Sequence, residues 1–155
     1  MKARFKNFIY KNNLLADCSK ILLAVSGGPD SLAMLDLFLR LQNEFEIEIA
    51  VAHLDHMFRK ESKSEADFVE SFTQKRGVRL FRKQVNLPEI IRKNNFSAEA
   101  AARRIRFDFF KEIIEDNNFD LLALAHHRDD QAETILLNLF RGSGLQGLSG
   151  IQVEA

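Results

Sequence analysis

The chain has 155 residues, of which 46% are hydrophobic and 28% charged, with a formal net charge of zero. This length and apolar content predict a single domain over residues 1–155 and leave no room for a second full domain. Cys18 is the one cysteine, which excludes a disulfide framework or a Cys-x-x-Cys metal site within one chain and predicts a reducing, cytoplasmic location. Lys11, Asn12 and Asn13 interrupt the N-terminal segment before an apolar run forms, so neither a secretion signal nor a membrane span is expected.

Short apolar segments alternate with helical patterns along the chain. Ser62 and Glu65 form a capping box, and Ser97 is placed to cap the longest helix. The predicted elements are, in chain order, a strand over residues 20–25, a helix over 31–41, a strand over 46–54, a helix over 62–76, a strand over 78–85, a helix that includes 98–113, a strand over 119–125 and a helix over 129–140.

This alternation predicts the α/β class, a doubly wound parallel sheet flanked by helices and joined by right-handed crossovers. In such sheets ligands bind beyond the carboxyl ends of the strands, where the strand order reverses. A Gly-rich loop follows the first strand, and the cluster His126-His127-Arg128-Asp129-Asp130 follows the fourth. If these two strands are neighbours, the loop and the cluster face each other across one crevice.

The Gly-rich loop has the features of a phosphate site. It consists of Ser26, Gly27, Gly28, Pro29, Asp30 and Ser31. The glycines permit close backbone approach, and the proline fixes φ at the start of a helix whose N-terminus favours an anion. The serines offer hydroxyl donors, and the aspartate is a candidate Mg²⁺ ligand. The loop is neither a Walker A sequence nor G-x-G-x-x-G, and an ordinary turn capped by Asp30 or Ser31 would use the same residue types.

Charge is unevenly distributed along the chain. Residues 76–106 contain nine Lys or Arg and two Glu, whereas residues 107–155 contain three basic and nine acidic residues. Such asymmetry suits a domain with one face toward a polyanion, although a solvated surface has the same composition.

The loop resembles the PP-loop of the ATP pyrophosphatases, which cleave ATP between the α- and β-phosphates to adenylate an acceptor. Three further segments narrow the family: residues 53–59, His-Leu-Asp-His-Met-Phe-Arg; residues 99–107, Glu-Ala-Ala-Ala-Arg-Arg-Ile-Arg-Phe; and residues 125–150. Together they resemble the catalytic domain of the tRNA(Ile)-lysidine synthase family over residues 21–151. The resemblance implies a fold of the adenine-nucleotide α-hydrolase type.

The resemblance also implies an activity. ATP and free lysine would convert the wobble cytidine in the anticodon loop of isoleucine tRNA to lysidine through an adenylated cytidine, releasing AMP and pyrophosphate. ATP with Mg²⁺ is the implied cofactor pair, isoleucine tRNA and lysine are the implied partners, and a homodimer is one expected assembly. Lysidine synthases continue beyond the last residue of this chain, so it is expected to be an N-terminal catalytic domain without the C-terminal tRNA-binding domains.

Roles for single residues follow from the same resemblance. The loop residues 26–31 and His53 would bind ATP, and the implied catalytic residues are Asp30, Arg106 and Asp130. The implied substrate-binding residues are Arg103, Arg106, His127, Asp129, Asp130 and Glu133. These residues also have simpler structural interpretations. Asp130 and Glu133 can cap a helix, and Arg103 and Arg106 can pair with Glu99. His53 can lie at a strand end with its hydrogen bonds satisfied.

Three alternative functions remain compatible with the residues. The patterns His53-x-Asp55-His56 and His126-His127-x-Asp129-Asp130 would also suit Mn²⁺ or Zn²⁺ in a metal-dependent phosphoesterase. A second alternative is another PP-loop enzyme that modifies tRNA, such as a thiolase, although those that need cysteine ligands are disfavoured by the single Cys18. A nucleotide-binding module without turnover is the third. Release of AMP and pyrophosphate rather than phosphate separates these classes.

Overall fold

The computed structural model describes residues 1–57, 62–94 and 98–125. Met1–Leu124 forms one compact unit, and Ala125–Ala155 forms a second unit of which only Ala125 is described. The interpretation of the whole chain as a single domain therefore stays a prediction.

Helices and strands alternate through most of the described ranges. The elements are α1 (Lys2–Lys11), β1 (Lys20–Ala24), α2 (Pro29–Phe45), β2 (Glu48–Asp55), α3 (Ser62–Gln74), β3 (Arg79–Gln84), α4 (Leu87–Asn94), α5 (Ala98–Asn117) and β4 (Leu121–Leu124). The four predicted strands are confirmed, and nearly all of their observed ends lie one or two residues from the predicted ends. None of the described helices is both long and apolar enough to cross a membrane.

The four strands form one parallel sheet in the order β3-β2-β1-β4. The chain passes from β1 outward through β2 to β3 and then returns to the other side of β1 as β4. The strand order therefore reverses between β1 and β4, whose last residues Ala24 and Leu124 are paired in register. This confirms the predicted parallel sheet and makes the first and fourth strands neighbours at the edge where such folds bind ligands.

Each face of the sheet is covered by different helices. On one face, α5 packs Phe109, Phe110 and Ile113 against Leu22 and alternate residues of β2. The opposite face carries the remaining residues of β1 and β2, because successive side chains of a strand point in opposite directions. These residues are buried as well, and α2 and α3 are the helices that contact β2 from that side. A sheet buried on both faces explains why β1 is continuously apolar from Ile21 to Ala24 rather than alternating.

Two helices were not predicted from the sequence. In α1, Phe5 packs edge-on against Phe38 of α2 with ring centroids 5.1 Å apart, and this tertiary contact compensates for a weakly apolar helix. In α4, Pro88 lies in the first turn, where its missing N–H costs nothing. The Asn86 side chain accepts a hydrogen bond from the Glu89 N–H at 3.2 Å. The sequence Asn-x-x-Glu therefore contained a capping pattern that could have predicted the start of α4.

Two smaller expectations were wrong. Glu46 does not begin β2 but caps α2 in the left-handed conformation, with φ of 54°. Helical spacing predicts Ala98 on one apolar face of α5 with Phe109 and Ile113, but Ala98 is exposed, and Phe110 contributes to the core. The Ser97 cap, the predicted helix over residues 129–140 and the glycines after it all lie outside the described residues.

Candidate functional site

The loop between β1 and α2 is held together by its own serines. The Ser31 hydroxyl is buried and donates to the Gly28 carbonyl at 2.8 Å, and it lies 3.2 Å from the Ser26 hydroxyl. The Gly28 N–H donates to that Ser26 oxygen at 3.3 Å. The two hydroxyls, expected to donate to a phosphate, thus hydrogen-bond within the loop and hold its backbone.

The two glycines of the loop differ in what they require. Gly27 has a backbone φ of +96°, a conformation that residues other than glycine rarely adopt. A Cβ at this position would lie 3.3 Å from the Cβ of Glu65 and 3.6 Å from Val69, because the loop lies directly against α3. Gly28 has φ of −72°, and a Cβ there would meet only the Ser26 hydroxyl at 3.5 Å. The loop therefore needs glycine at Gly27 for its conformation.

The loop leads into an uncapped helix N-terminus. Gly28 is the N-cap of α2 and provides no side-chain hydrogen bond to the first turn, and Pro29 is the first helical residue. A 17-residue helix with this arrangement presents partial positive charge and backbone N–H groups to an anion. Asp30 lies exposed in the same turn. A carboxylate in this turn supplies the hard-oxygen chemistry that fits Mg²⁺ together with phosphate.

His53 lies at the carboxyl end of β2, next to the end of β1. Its ring is 3% exposed, and Nδ1 is 2.7 Å from the carbonyl oxygen of Val25, the residue just before the loop. The other ring nitrogen, Nε2, is buried and has no hydrogen-bond partner within the described part of the chain. His53 therefore links the two strand ends and leaves one buried polar atom unsatisfied.

Asp55 shapes the turn that follows β2. Its carboxylate accepts hydrogen bonds from the Met57 N–H at 2.8 Å and from the Gln84 side chain at 3.1 Å, and it is 4% exposed. Met57 adopts φ of 54° in this turn. In residues 1–57, 62–94 and 98–125, no group of three or more His, Cys, Asp or Glu side chains is placed to hold a metal ion. The second half of the pattern proposed for a metal site lies outside these ranges.

Arg106 of α5 is near enough to the end of β2 for its charge to act on His56. Burial of His56 is the first cause that lowers its pKa, and the positive charge of Arg106 is the second, while the negative charge of Asp55 opposes them less strongly. The pKa of the Arg106 guanidinium is itself lowered by desolvation and then by Arg103, although the residue as a whole is exposed. Arginine stays charged at neutral pH, so this part of the sheet edge holds a fixed cation, and the lowered pKa of His56 favours its neutral form.

The structure brings some of the predicted site residues together. The loop residues and His53 lie at the carboxyl ends of adjacent strands, and the charge of Arg106 acts on His56 just after the second of these strands. Arg103 instead lies over the Phe107 ring, 5.6 Å from its centroid. The substrate-binding candidates beyond β4 lie outside the described residues: His127, Asp129, Asp130 and Glu133.

Three neighbours of the site were not predicted as part of it. Glu65 and Val69 of α3 limit the space at Gly27, and the sequence offers no signal for that contact because it depends on how α3 packs. Gln84 at the end of β3 donates to Asp55. Its position could have been inferred, since parallel strands end at the same edge of the sheet.

Comparison with known proteins identifies the family. A model of the PP-loop domain family, ATP_bind_3, matches residues 1–155. A tRNA(Ile)-lysidine synthase of Geobacillus kaustophilus is 41% identical over 152 residues, which is 97% of this chain and 33% of that protein. A bifunctional protein TilS/HprT of Listeria innocua is 41% identical over 97% of this chain and 23% of its own length. The chain thus spans about a third or less of these curated relatives.

A solved structure shares the fold. The U34-tRNA thiolase NcsA from Methanococcus maripaludis, with its [4Fe-4S] cluster, superimposes with a TM-score of 0.72 over 86% of this chain and 47% of the thiolase chain. Sequence identity is 20%, so this likeness supports the architecture alone. The match of the family model to the whole sequence agrees with the parallel sheet and the loop geometry, and the chain belongs to the PP-loop domain family.

Proposed function

We propose that this domain catalyses ATP-dependent ligation of lysine to the wobble cytidine of isoleucine tRNA, through an adenylated cytidine. The observation that carries the proposal is the internally hydrogen-bonded loop over residues 26–31, which leads into the N-terminus of α2, without a side-chain cap, at the edge where the strand order reverses. The relatives named tRNA(Ile)-lysidine synthase support the choice of substrate, since they are 36–41% identical over nearly all of this chain.

The proposed reaction has two displacements. The cytidine attacks the α-phosphorus of ATP, and pyrophosphate leaves. The amine of lysine then attacks the activated base, and AMP leaves. Both steps move negative charge onto phosphate oxygens, which backbone N–H groups and a helix N-terminus stabilise without rearrangement.

Individual residues take separate roles in this proposal. The loop residues Ser26 to Ser31 hold the phosphates, and Arg106 stabilises negative charge at the activated cytidine. Mg²⁺, which Asp30 would hold, supplies charge neutralisation for the departing pyrophosphate. We propose that Asp130, with Asp129, Glu133 and His127, binds and deprotonates the lysine amine, and that Arg103 contacts the tRNA. The enzyme is further proposed to act in the cytoplasm and to assemble as a homodimer.

Mass spectrometry of unmodified isoleucine tRNA tests the proposal. After incubation with the protein, ATP, Mg²⁺ and lysine, one cytidine should gain the mass of lysine less water. ATP labelled at the γ-phosphate should yield labelled pyrophosphate. Labelled orthophosphate as the primary product, in the absence of pyrophosphatase, would exclude nucleotidyl transfer and favour a phosphoesterase.

A further inference from the structure

A row of three side chains follows the outer surface of α3 and continues just past its end. Phe68, Phe72 and Arg76 are spaced four residues apart, so they lie on one face of the helix. The two ring centroids are 6.0 Å apart, and the Arg76 guanidinium lies over the Phe72 ring, 3.6 Å from its centroid. Phe68 is 50% exposed. A half-exposed ring in such a row offers a face on which a nucleobase can stack.

Three cations cluster at the turn that joins α3 to β3. Lys75, Arg76 and Arg79 are all exposed and lie within five consecutive residues. Within the described ranges, none of the three has a carboxylate at ion-pair distance. Other exposed cations are paired, as Arg40 is with Asp36 at 2.7 Å. The turn therefore presents uncompensated positive charge.

The carboxylates of α3 are engaged away from this turn. Asp67 and Glu70 lie at 3.4 and 2.6 Å from one guanidinium nitrogen of Arg82. Glu65 lies near the start of the helix, with its Cβ 3.3 Å from the place that a Cβ on Gly27 would take. Negative charge thus belongs to the part of α3 that begins next to the phosphate loop, and positive charge collects at its end.

Helix stabilisation accounts for only part of this arrangement. Cations near the C-terminus of a helix interact favourably with its dipole, which applies to Lys75 and Arg76. Arg79 lies outside the helix, since it begins β3. The exposed half of the Phe68 ring buries no apolar area and adds nothing to the stability of the fold. A polyanion that carries unpaired bases explains both residues.

The position of α3 suits a long ligand that also reaches the phosphate loop. The helix begins against the loop, where Glu65 and Val69 contact Gly27. Its 13 residues extend over about 20 Å. In the described sheet β3 is an outer strand, so the turn before it is accessible from the side. A chain of nucleotides with its reacting base at the loop can therefore follow α3 to the cations.

We infer that Phe68, Phe72, Lys75, Arg76 and Arg79 form an RNA-binding surface, the α3 surface, which holds the substrate beyond its reacting base. Phe68 stacks on an unpaired base, and the three cations contact phosphates. The inference rests on the proposed function, because the RNA is then the tRNA whose cytidine reacts at the loop.

The salt dependence of tRNA binding tests the cations. Fluorescence anisotropy of labelled, unmodified isoleucine tRNA measures its affinity for the 155-residue chain at several salt concentrations. Each phosphate contact adds about 0.7 to 0.9 to the slope of log affinity against log salt concentration. Lys75→Ala combined with Arg79→Ala should therefore reduce the slope by about 1.5 and weaken binding by about threefold to tenfold near 0.1 M salt, roughly. Arg40→Ala combined with Lys111→Ala removes the same charge from exposed, ion-paired cations and should leave the slope unchanged.

A second pair of variants tests the ring. Phe68→Leu keeps an apolar side chain but removes the stacking face, so tRNA affinity should fall by about fivefold or more with the salt slope unchanged. Phe8→Leu is the matched control, because Phe8 on α1 is 47% exposed, and it should bind tRNA like the wild type. Calorimetry with ATP should give wild-type affinity for all four variants, which shows that the phosphate loop is intact.

An unchanged salt slope in the variant lacking Lys75 and Arg79, or an equal reduction in its control, would overturn the phosphate contacts. Equal tRNA affinity of Phe68→Leu and Phe8→Leu would overturn the stacking. A wild-type chain that binds no tRNA, but binds phosphatidylserine vesicles through the same cations, would assign the surface to a membrane instead. Failure of the proposed function is distinguishable, since the wild type would then form no lysidine while its tRNA affinity still responded to these substitutions.

Discussion

The two ends of the sheet use polar groups in opposite ways. At the amino end, the Asp120 carboxylate accepts hydrogen bonds from the N–H groups of Ser19 and Lys20, each at 2.8 Å, and from the Ser19 hydroxyl at 3.0 Å. The Asp120 N–H in turn donates to the Lys20 carbonyl at 2.9 Å. At the carboxyl end, α2 begins without a side-chain cap, and His53 holds a buried acceptor without a donor in the described ranges.

This difference suggests that the amino end of the sheet serves stability and the carboxyl end serves ligand binding. Asp120 joins β4 to β1 through satisfied hydrogen bonds, and nothing about it calls for a ligand. The carboxyl end carries the backbone that only glycine adopts easily, the helix N-terminus that favours an anion and the unsatisfied ring nitrogen. Substitutions at the two ends should therefore affect different measurements.

The largest effect is expected at Gly27. Gly27→Ala forces a side chain into φ of +96° and against the Cβ of Glu65 at 3.3 Å, so the loop must shift away from α3. We expect a loss of about 1 to 3 kcal/mol in the free energy of unfolding and a loss of ATP affinity of tenfold or more, roughly. Urea unfolding and calorimetry with ATP measure the two effects.

Gly28→Ala is the matched control for this prediction. Its φ of −72° is ordinary for alanine, and the new Cβ would be 3.5 Å from the Ser26 hydroxyl, a normal contact. The free energy of unfolding should change by less than about 0.5 kcal/mol. Equal destabilisation by both substitutions would mean that the conformation at Gly27 is not what the loop depends on.

Arg106 should affect chemistry much more than ATP binding. Arg106→Ala removes a cation from the edge near His56, and loss of such a group from a transition state costs about 100-fold in turnover. ATP affinity in this chain should change by less than about twofold, since the loop residues are untouched. Lysidine formation is measured in a chain extended to the full length of the relatives. Asp130→Asn should likewise lower turnover and leave ATP affinity nearly unchanged.

Arg104→Ala is the control, because Arg104 lies exposed on the same helix and pairs only loosely with Asp108, at 3.9 Å. Its turnover should match the wild type. A large loss of ATP affinity in Arg106→Ala, or equal loss of turnover in both variants, would contradict the proposed role of Arg106.

The sequence predicted the sheet well because local and tertiary preferences agree there. A strand such as β1 is apolar on both faces, and its Gly-rich exit and the helix after it are each visible in a few adjacent residues. The same locality identified the loop over residues 26–31. α1 was not predicted, because its stability depends on packing of Phe5 against Phe38, which no local pattern shows.

The internal chemistry of the site was beyond sequence reasoning for a related reason. The serines of the loop were expected to donate to phosphate, yet their hydrogen bonds within the loop depend on a backbone conformation that only the structure gives. Likewise, the pairing of His53 with the Val25 carbonyl joins residues 28 positions apart. Residue types predicted which side chains would be near the edge, but not which of their atoms remain unsatisfied.

A moderate effect on stability is expected at Asp120. Its hydrogen bonds from Ser19 and Lys20 hold the pKa of the carboxyl below its usual range, so the folded state favours the carboxylate. This stabilisation is present above about pH 3.9, the pKa of an unperturbed aspartate, and is lost as the pH falls through the lower folded-state pKa. Asp120→Ala should lower the urea midpoint at pH 7 with ATP affinity unchanged, whereas Asp116→Ala, an exposed control on α5, should alter neither.

The smallest effect concerns His56. Burial and the charge of Arg106 lower its pKa, with Asp55 opposing and His53 adding slightly to the lowering. The unfolded chain therefore takes up a proton near pH 6.5 that the folded protein does not yet bind, so stability should decline as the pH falls through about 6.5 toward the folded-state pKa. His56→Gln should flatten this part of the curve of unfolding free energy against pH.

Arg106→Ala removes one cause of the lowering and should raise the pKa of His56, which NMR titration of the His56 ring protons measures directly. A wild-type pKa at or above 6.5, or one that does not respond to Arg106→Ala, would mean that Arg106 and His56 do not share the edge of the sheet as the structure places them.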